Sequence, residues 1–219
     1  DNVWIGPAGW SYPDWGGVVY PCPTLKGFHA LEYLAQFFDT VEINVSFYRP
    51  LPPQFAPSWL KKVVRNPRFR FTAKLWQRFT YEREPRLISD EICQARDGMA
   101  PLLESGKLAA LLVQFPWSFR RTDDNRHWLD LVCKTFADYP LVVEVRHASW
   151  DVPEMYEALA QRGIAFCNID QPQFHDAIPP SERVTSRIGY VRLHGRNYQD
   201  WFRDDAGRDE RYDYLYTGD

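Results

Sequence analysis

Leu141-Val142-Val143-Glu144-Val145-Arg146-His147-Ala148-Ser149-Trp150 is the stretch whose reading decides the fold. It begins as a continuous apolar run of the kind buried on both faces in a parallel strand, yet two charged side chains stand two residues apart near its end. Strand alternation puts Glu144 and Arg146 on one face and Val143 and Val145 on the other. The arrangement recurs in Val41-Glu42-Ile43-Asn44, Phe71-Thr72-Ala73-Lys74, Leu111-Leu112-Val113-Gln114, Asn168-Ile169-Asp170 and Val191-Arg192-Leu193-His194. Each is a mostly apolar run that turns polar at alternate positions as it ends.

Outward from these runs, strand and helix signals alternate. Val3 to Gly6 reads as a first strand, followed by the aromatic, Pro- and Gly-punctuated loop Gly9 to Gly17. Further strands are expected at Val41 to Val45, Phe69 to Leu75, Leu108 to Phe115, the opening stretch, Ile164 to Ile169 and Gly189 to Leu193. Helices are expected at His29 to Phe38, Phe55 to Val64, Ser89 or Asp90 to Glu104, Asp124 or Asn125 to Phe136, and from Asp151-Val152-Pro153 to the closing Gly163. Gln171 to Arg187 carries no helical pattern. Such alternation indicates a parallel α/β barrel or an open doubly wound sheet. The polar strand ends favour the barrel, because an open sheet draws its ligand crevice from a few strand ends at a switch point, whereas here nearly every run ends in polar groups. No Gly-x-Gly-x-x-Gly turn or Walker loop is present to carry a nucleotide. The expectation is a TIM-type parallel (β/α) barrel with seven strands in view and its pocket at the C-terminal mouth.

Composition sets the outer bounds. The 219 residues, 45% hydrophobic and 16% aromatic, suffice for a large core in a single domain spanning residues 1–219. A net charge of -3 and a pI near 6.0 argue against general binding to a nucleic-acid backbone; Arg65, Arg68, Arg70 and Arg120, Arg121, Arg126 read as solvated clusters. Cys22, Cys93, Cys133 and Cys167 are widely separated, without Cys-x-x-Cys spacing, which fits reduced thiols in a cytoplasmic protein. No apolar run approaches the roughly 20 residues that span a bilayer, so no membrane partner is expected.

The chain resembles the YecE-like family, domain of unknown function seventy-two, through Gly9-Trp10-Ser11-Tyr12, Val41-Glu42-Ile43-Asn44 with Phe47-Tyr48, Phe71-Thr72-Ala73-Lys74, Gln114-Phe115-Pro116, Glu144-Val145-Arg146-His147 with Trp150, and Arg192-Leu193-His194-Gly195. The resemblance covers essentially the whole chain and implies a TIM barrel, with no assigned activity. In similar proteins a further helix and strand follow the equivalent of Tyr212 to Tyr216. The expectation is therefore an eighth strand and a last helix beyond Asp219.

The polar strand ends bring together Glu42, Glu144 and Asp170, Lys74, Arg146 and Arg192, His194, and Asn44, Gln114 and Asn168. Buried charges persist when paired, so such a set also suits a purely structural ionic network. As chemistry, it reads as an enzyme of unassigned reaction on a small polar, anionic or sugar-like metabolite. Glu42 and Glu144 would move protons and Lys74 would stabilise developing negative charge. Trp10, Asn44, Tyr48, Gln114, Arg146, Asp170, Arg192 and His194 would bind substrate, the arginines gripping a carboxylate or phosphate through paired donors.

Three alternatives stay open. A glycoside-type hydrolase or transferase would use Glu42 and Glu144 and needs one of them protonated, although Arg146 and Lys74 favour the ionised forms. A non-catalytic anion- or metabolite-binding module uses the same cations without turnover. A metal-dependent isomerase or hydrolase would draw on Glu42, Glu144, Asp170 and His194; no cofactor is otherwise expected. Trp15, Trp76, Trp117, Trp150 and Trp201 are further candidates for stacking on a ring.

Overall fold

Apolar, β-branched runs become the strands. In the computed structural model, which describes residues 3–21, 26–83, 87–201, 203, 205 and 207–217, they are β1 (Thr40–Ile43), β2 (Arg70–Lys74), β3 (Leu108–Gln114), β4 (Leu141–Glu144), β5 (Ala165–Asp170) and β6 (Tyr190–Leu193). The helices are α1 (Ala30–Leu34), α2 (Val45–Tyr48), α3 (Phe55–Lys62), α4 (Ser89–Asp97), α5 (Ala100–Glu104), α6 (Asp123–Thr135), α7 (Pro153–Gln161) and α8 (Arg208–Arg211). The chain divides into two compact units, Asp1–Leu112 with Thr135–Pro140, and Val113–Lys134 with Leu141–Asp219.

The expected TIM-type barrel with seven strands in view is not what forms. Among the described residues the sheet has six strands in the order β1-β2-β3-β4-β5-β6, so the strand order has two ends instead of closing. The missing member is the run at Val3 to Gly6, which lies against β1 through one parallel bridge, Ala8 to Glu42, with the Glu42 N–H donating to the Pro7 carbonyl at 3.0 Å. Pro7 has no N–H with which to extend a ladder. Val3 and Ile5 are exposed, and Gly6 lies so close to the Thr40 carbonyl that a Cβ has no room. Apolar composition alone mimicked a strand there.

In the first unit β1 pairs with β2 from Thr40↔Arg70 to Ile43↔Ala73, and β2 pairs with β3 across a register shift at Phe71/Thr72. Val41, Ile43, Phe69, Phe71 and Leu75 are buried, each worth about 1.5 to 3 kcal/mol of apolar burial. The single helix expected from Ser89 to Glu104 is two. Pro101 lacks the N–H that would continue α4, and Gly98 packs against the Leu51 backbone where a side chain would clash.

In the second unit β4 pairs with β5 and β5 with β6, and the Phe115 N–H donates to the Glu144 carbonyl at 2.9 Å. Pro153 opens α7 with its ring already at a helical φ, and Gly163 follows it at φ +66. Phe115 stacks on Phe119 at 3.9 Å and Phe119 on Trp150 at 5.2 Å, while the Trp150 indole donates to the Phe119 carbonyl at 2.6 Å. Trp150 is thereby core, not a stacking platform for ligand. The same stack ties down both ends of the turn Phe115-Pro116-Trp117-Ser118-Phe119 and leaves Trp117 on its outside.

No helix among the described residues is long and apolar enough to cross a membrane. Cys93 is exposed and Cys133 and Cys167 are buried, all as free thiols; burial pushes the Cys133 thiol up to about 12. Cys22 lies outside the described residues.

Candidate functional site

Strand alternation in the second unit delivers the charged residues to one place. Glu144 ends β4 with 0% exposure, and both of its oxygens are engaged: Arg146 Nε donates to Oε1 at 3.0 Å and Arg192 Nη1 to Oε2 at 2.6 Å. Burial by itself would raise the Glu144 carboxyl, but Arg192, then Arg146, with His194 when charged, outweigh it and hold the group well below the usual carboxylate range. The thiol of Cys167 on β5 lies 3.8 Å from Oε2.

His194 Nε2 is 3.3 Å from Arg192 Nη1 and 3.8 Å from Glu144 Oε1. A guanidinium has only donors, so the shorter contact is a hydrogen bond when Nε2 carries no proton. One nitrogen cannot also donate to Glu144 in that state. At 3.8 Å the Glu144 contact lies beyond hydrogen-bond reach and is electrostatic only.

The loop after β5 zips onto the segment after β4. Ala177 bridges His147, the Ile178 N–H donates to the Arg146 carbonyl at 2.9 Å, and the Ala148 N–H donates to the Asp176 carbonyl at 2.7 Å. This pairing frames a cavity of about 100 Å³ lined by Trp117, Arg146, Gln171, Pro172, Phe174, Ala177 and Trp201. Arg146 therefore joins the buried ionic cluster to the cavity wall. Trp117 is backed by the His147 ring at 5.4 Å, Phe174 by Tyr198 at 5.5 Å and Trp201 by Tyr212 at 5.9 Å.

Asp170, at the end of β5, is held differently. Arg196 Nε donates to its two oxygens at 2.9 and 3.1 Å, and Tyr216 Oη donates to Oδ2 at 2.6 Å while accepting from the Gly195 N–H at 3.0 Å. Burial, then the bond to Asp170, push the Tyr216 hydroxyl up to about 12. Gly195 takes φ +79 with Tyr214 pressed against the place a Cβ would occupy, so glycine is required there twice over. Asn168 turns to local structure, its amide accepting from Ser181 and the Arg183 N–H. Gln114 is buried at the end of β3.

The first unit carries the other expected residues. Glu42 on β1 is buried, and Lys74 Nζ at the end of β2 stands 3.8 Å from its Oε1 and 5.5 Å from the centre of the Phe47 ring. Asn44 follows β1 with a buried Oδ1 that has no hydrogen-bond partner. Trp10 packs edge-on against Trp59 at 5.0 Å, and Tyr48 is 67% exposed on α2. Trp15 and Trp76 likewise pack on neighbouring rings.

The sequence reading did not single out Arg196, Tyr216, Gln171, Pro172, Phe174 or Ala177. The usable signal was the length of the helix-free connection from Gln171 to Arg187, since long irregular loops in α/β folds commonly carry function. Among the described residues no group of three or more His, Cys, Asp or Glu side chains stands together as a metal site. Glu144 and His194 approach each other, but guanidinium groups already occupy the carboxylate.

Fold and cluster together define an α/β protein with a parallel sheet whose strand ends hold buried ion pairs beside an aromatic cavity. Residues 4–219 match the family described as Protein of unknown function DUF72, and the chain belongs to that family. It is 30% identical over 228 residues to the UPF0759 protein YunF of Bacillus subtilis, across 98% of this chain and 79% of that protein. A DUF72 family protein from Thermotoga maritima is similar in structure, with a TM-score of 0.81 at 34% identity over 98% of this chain and 82% of that one. Another from Enterococcus faecalis gives a TM-score of 0.77 at 30% identity over 86% and 72%.

Proposed function

We propose that the second unit binds a small anionic ligand in the cavity lined by Trp117 and Trp201, with Arg146 as the residue that takes its charge. The observation that carries this reading is the double engagement of Arg146: it lines the cavity and is held at 3.0 Å by a buried carboxylate. A guanidinium already fixed in place loses little freedom when it grips a carboxylate or phosphate. Arg192 acts behind it by fixing Glu144, with His194 against Arg192 in turn.

The chemistry of Glu144 favours binding over proton transfer at this site. A glycoside-type acid must arrive protonated, whereas Glu144 is held ionised by two guanidinium groups. Its low proton affinity equally makes it a weak general base. Its role in this reading is to orient Arg146.

Arg146→Lys tests the assignment, since it keeps the charge and loses the planar fork. Titration calorimetry of the full-length polypeptide with small carboxylates and inorganic phosphate should show at least a tenfold loss of affinity in the variant. Equal affinities for Arg146→Lys and the unaltered protein, or no anion binding to the latter, would overturn the reading.

A further inference from the structure

We infer that the cavity ligand is a planar aromatic carboxylate of a single ring, and not a phosphosugar, a sugar acid or a free inorganic anion. The inference rests on the anion-binding reading of Arg146 and adds the chemistry of the rest of the molecule.

The walls supply the argument. Of the seven residues lining the cavity, Trp117, Phe174 and Trp201 are aromatic, Pro172 and Ala177 are apolar, and only Arg146 and Gln171 bring polar side-chain ends besides the two indole N–H groups. A sugar ring presents several hydroxyls, each needing a partner once removed from water. One guanidinium, one amide and two indoles cannot satisfy a hydroxylated ring and its acid group together. A flat ring has no such demand and gains from stacking on indole and phenyl faces.

Size and stiffness point the same way. The cavity measures about 100 Å³, about two-thirds of the roughly 150 Å³ apolar void that accepts a benzene ring, and has room for no more than a single ring. One ring fits that scale; a fused ring system or a disaccharide does not. The stacking surfaces are also held in advance. Trp117 is buttressed by the His147 ring, and the flanking Phe115 and Phe119 are fully buried in a stack that ends on Trp150. Trp201 is braced by Tyr212 and His194. A ring entering between pre-set aromatic faces orders little protein, which is the condition under which stacking adds affinity.

The acid group then falls to Arg146, and the cluster behind it reinforces the choice. Glu144 takes the Nε edge of that guanidinium, which fixes the plane of the group relative to the cavity. A carboxylate conjugated to an aromatic ring is coplanar with it, so ring and acid group enter as one flat, rigid body that loses little freedom on binding. Phosphate, being tetrahedral, and acetate, lacking a ring, satisfy only the charge.

The experiment compares benzoate, cyclohexanecarboxylate, acetate and inorganic phosphate on the full-length polypeptide by titration calorimetry and by quenching of tryptophan fluorescence. Benzoate should bind at least tenfold more tightly than each of the other three. Trp117→Leu, at a position that is 39% exposed and so tolerant of substitution, should lower benzoate affinity at least fivefold and leave the affinity for acetate within twofold. Melting temperatures of the variants identify any that fail to fold, and Trp201→Leu then provides the same comparison at a second aromatic lining residue. If cyclohexanecarboxylate, acetate or phosphate binds as tightly as benzoate, or if both tryptophan variants leave benzoate binding unchanged, the aromatic assignment is wrong while the anion reading stands. If benzoate binding survives Arg146→Lys unaltered, the anion reading itself fails and takes this inference with it.

Discussion

Glu42 and Glu144 are the same residue type, each within the last two positions of a parallel strand, and the two units treat them differently. In the second unit Glu144 is closed off from solvent and gripped on both oxygens by guanidinium groups at 2.6 and 3.0 Å. In the first, Glu42 meets an ammonium at 3.8 Å, and that ammonium also faces an aromatic ring. Arginine delivers directed, forked hydrogen bonds, whereas lysine is a compact point charge on a flexible stem. One carboxylate is closed off from solvent and held by two directed guanidinium contacts; the other keeps a little solvent exposure and faces a less directional charge.

The largest expected effect breaks the guanidinium grip on Glu144. Glu144→Gln preserves shape and removes the charge, leaving Arg146, Arg192 and a buried site without their anion. Breaking a fully buried pair in this way typically costs about 3 to 5 kcal/mol. Urea denaturation at neutral pH should show a loss of that size. A loss below about 1 kcal/mol would mean that Glu144 is no more structural than a surface ion pair.

Acid sharpens the same contrast. Because the Glu144 carboxyl is held below its unfolded value of about 4.3, its contribution to stability is fully present above that pH and is lost as pH falls through the folded value. Between the two values the unfolded chain binds the extra proton, and stability falls by up to about 1.4 kcal/mol per pH unit. The stability gap between the unaltered protein and Glu144→Gln should therefore narrow on acidification below about pH 4.3. Denaturation curves at stepped pH check this. A gap that does not narrow in acid would show that Glu144 is not held ionised by its arginines.

Much of this arrangement was legible in the sequence because it obeys a period of two. Glu144 and Arg146 sit two apart, as do Arg192 and His194, and both pairs reached the same cluster. On β6 the alternation is stark: Arg192 turns toward Glu144 while Val191 and Leu193 are each 65% exposed. The barrel with seven strands in view was misjudged where the period was too short to read. Val3 to Gly6 offers only four residues, and the fixed ring of Pro7 ends any ladder before it begins. The cavity lining was not legible because Gln171, Pro172, Phe174 and Ala177 lie on an irregular segment, where no period links a residue to a face. Arg196 and Tyr216 escaped for the same reason, their positions following from the turn at Gly195 and the path of residues 212–217.

Lys74→Met carries the smallest expected effect and decides how far the contrast between the units extends. Methionine keeps most of the apolar stem that lysine buries and removes only the ammonium. The losses include the attraction to Glu42 across 3.8 Å and the contact with the Phe47 ring, itself worth about 0.5 to 1 kcal/mol when partly exposed. The bond from Ser46 Oγ to the Lys74 carbonyl at 2.7 Å runs to the backbone and survives the change. The side chains of Lys74 and Glu42 are 16% and 7% exposed, so the pair lies between a surface ion pair worth about 0 to 1 kcal/mol and a buried one worth about 3 to 5. Restoring the desolvation cost of the ammonium offsets part of what its removal loses. The net expectation is a destabilisation of about 1 to 2 kcal/mol, less than half that of Glu144→Gln, measured in the same urea titration. A loss as large as that of Glu144→Gln would make Lys74 and Glu42 a second structural pair of the same weight, and the contrast between the two carboxylates would not hold.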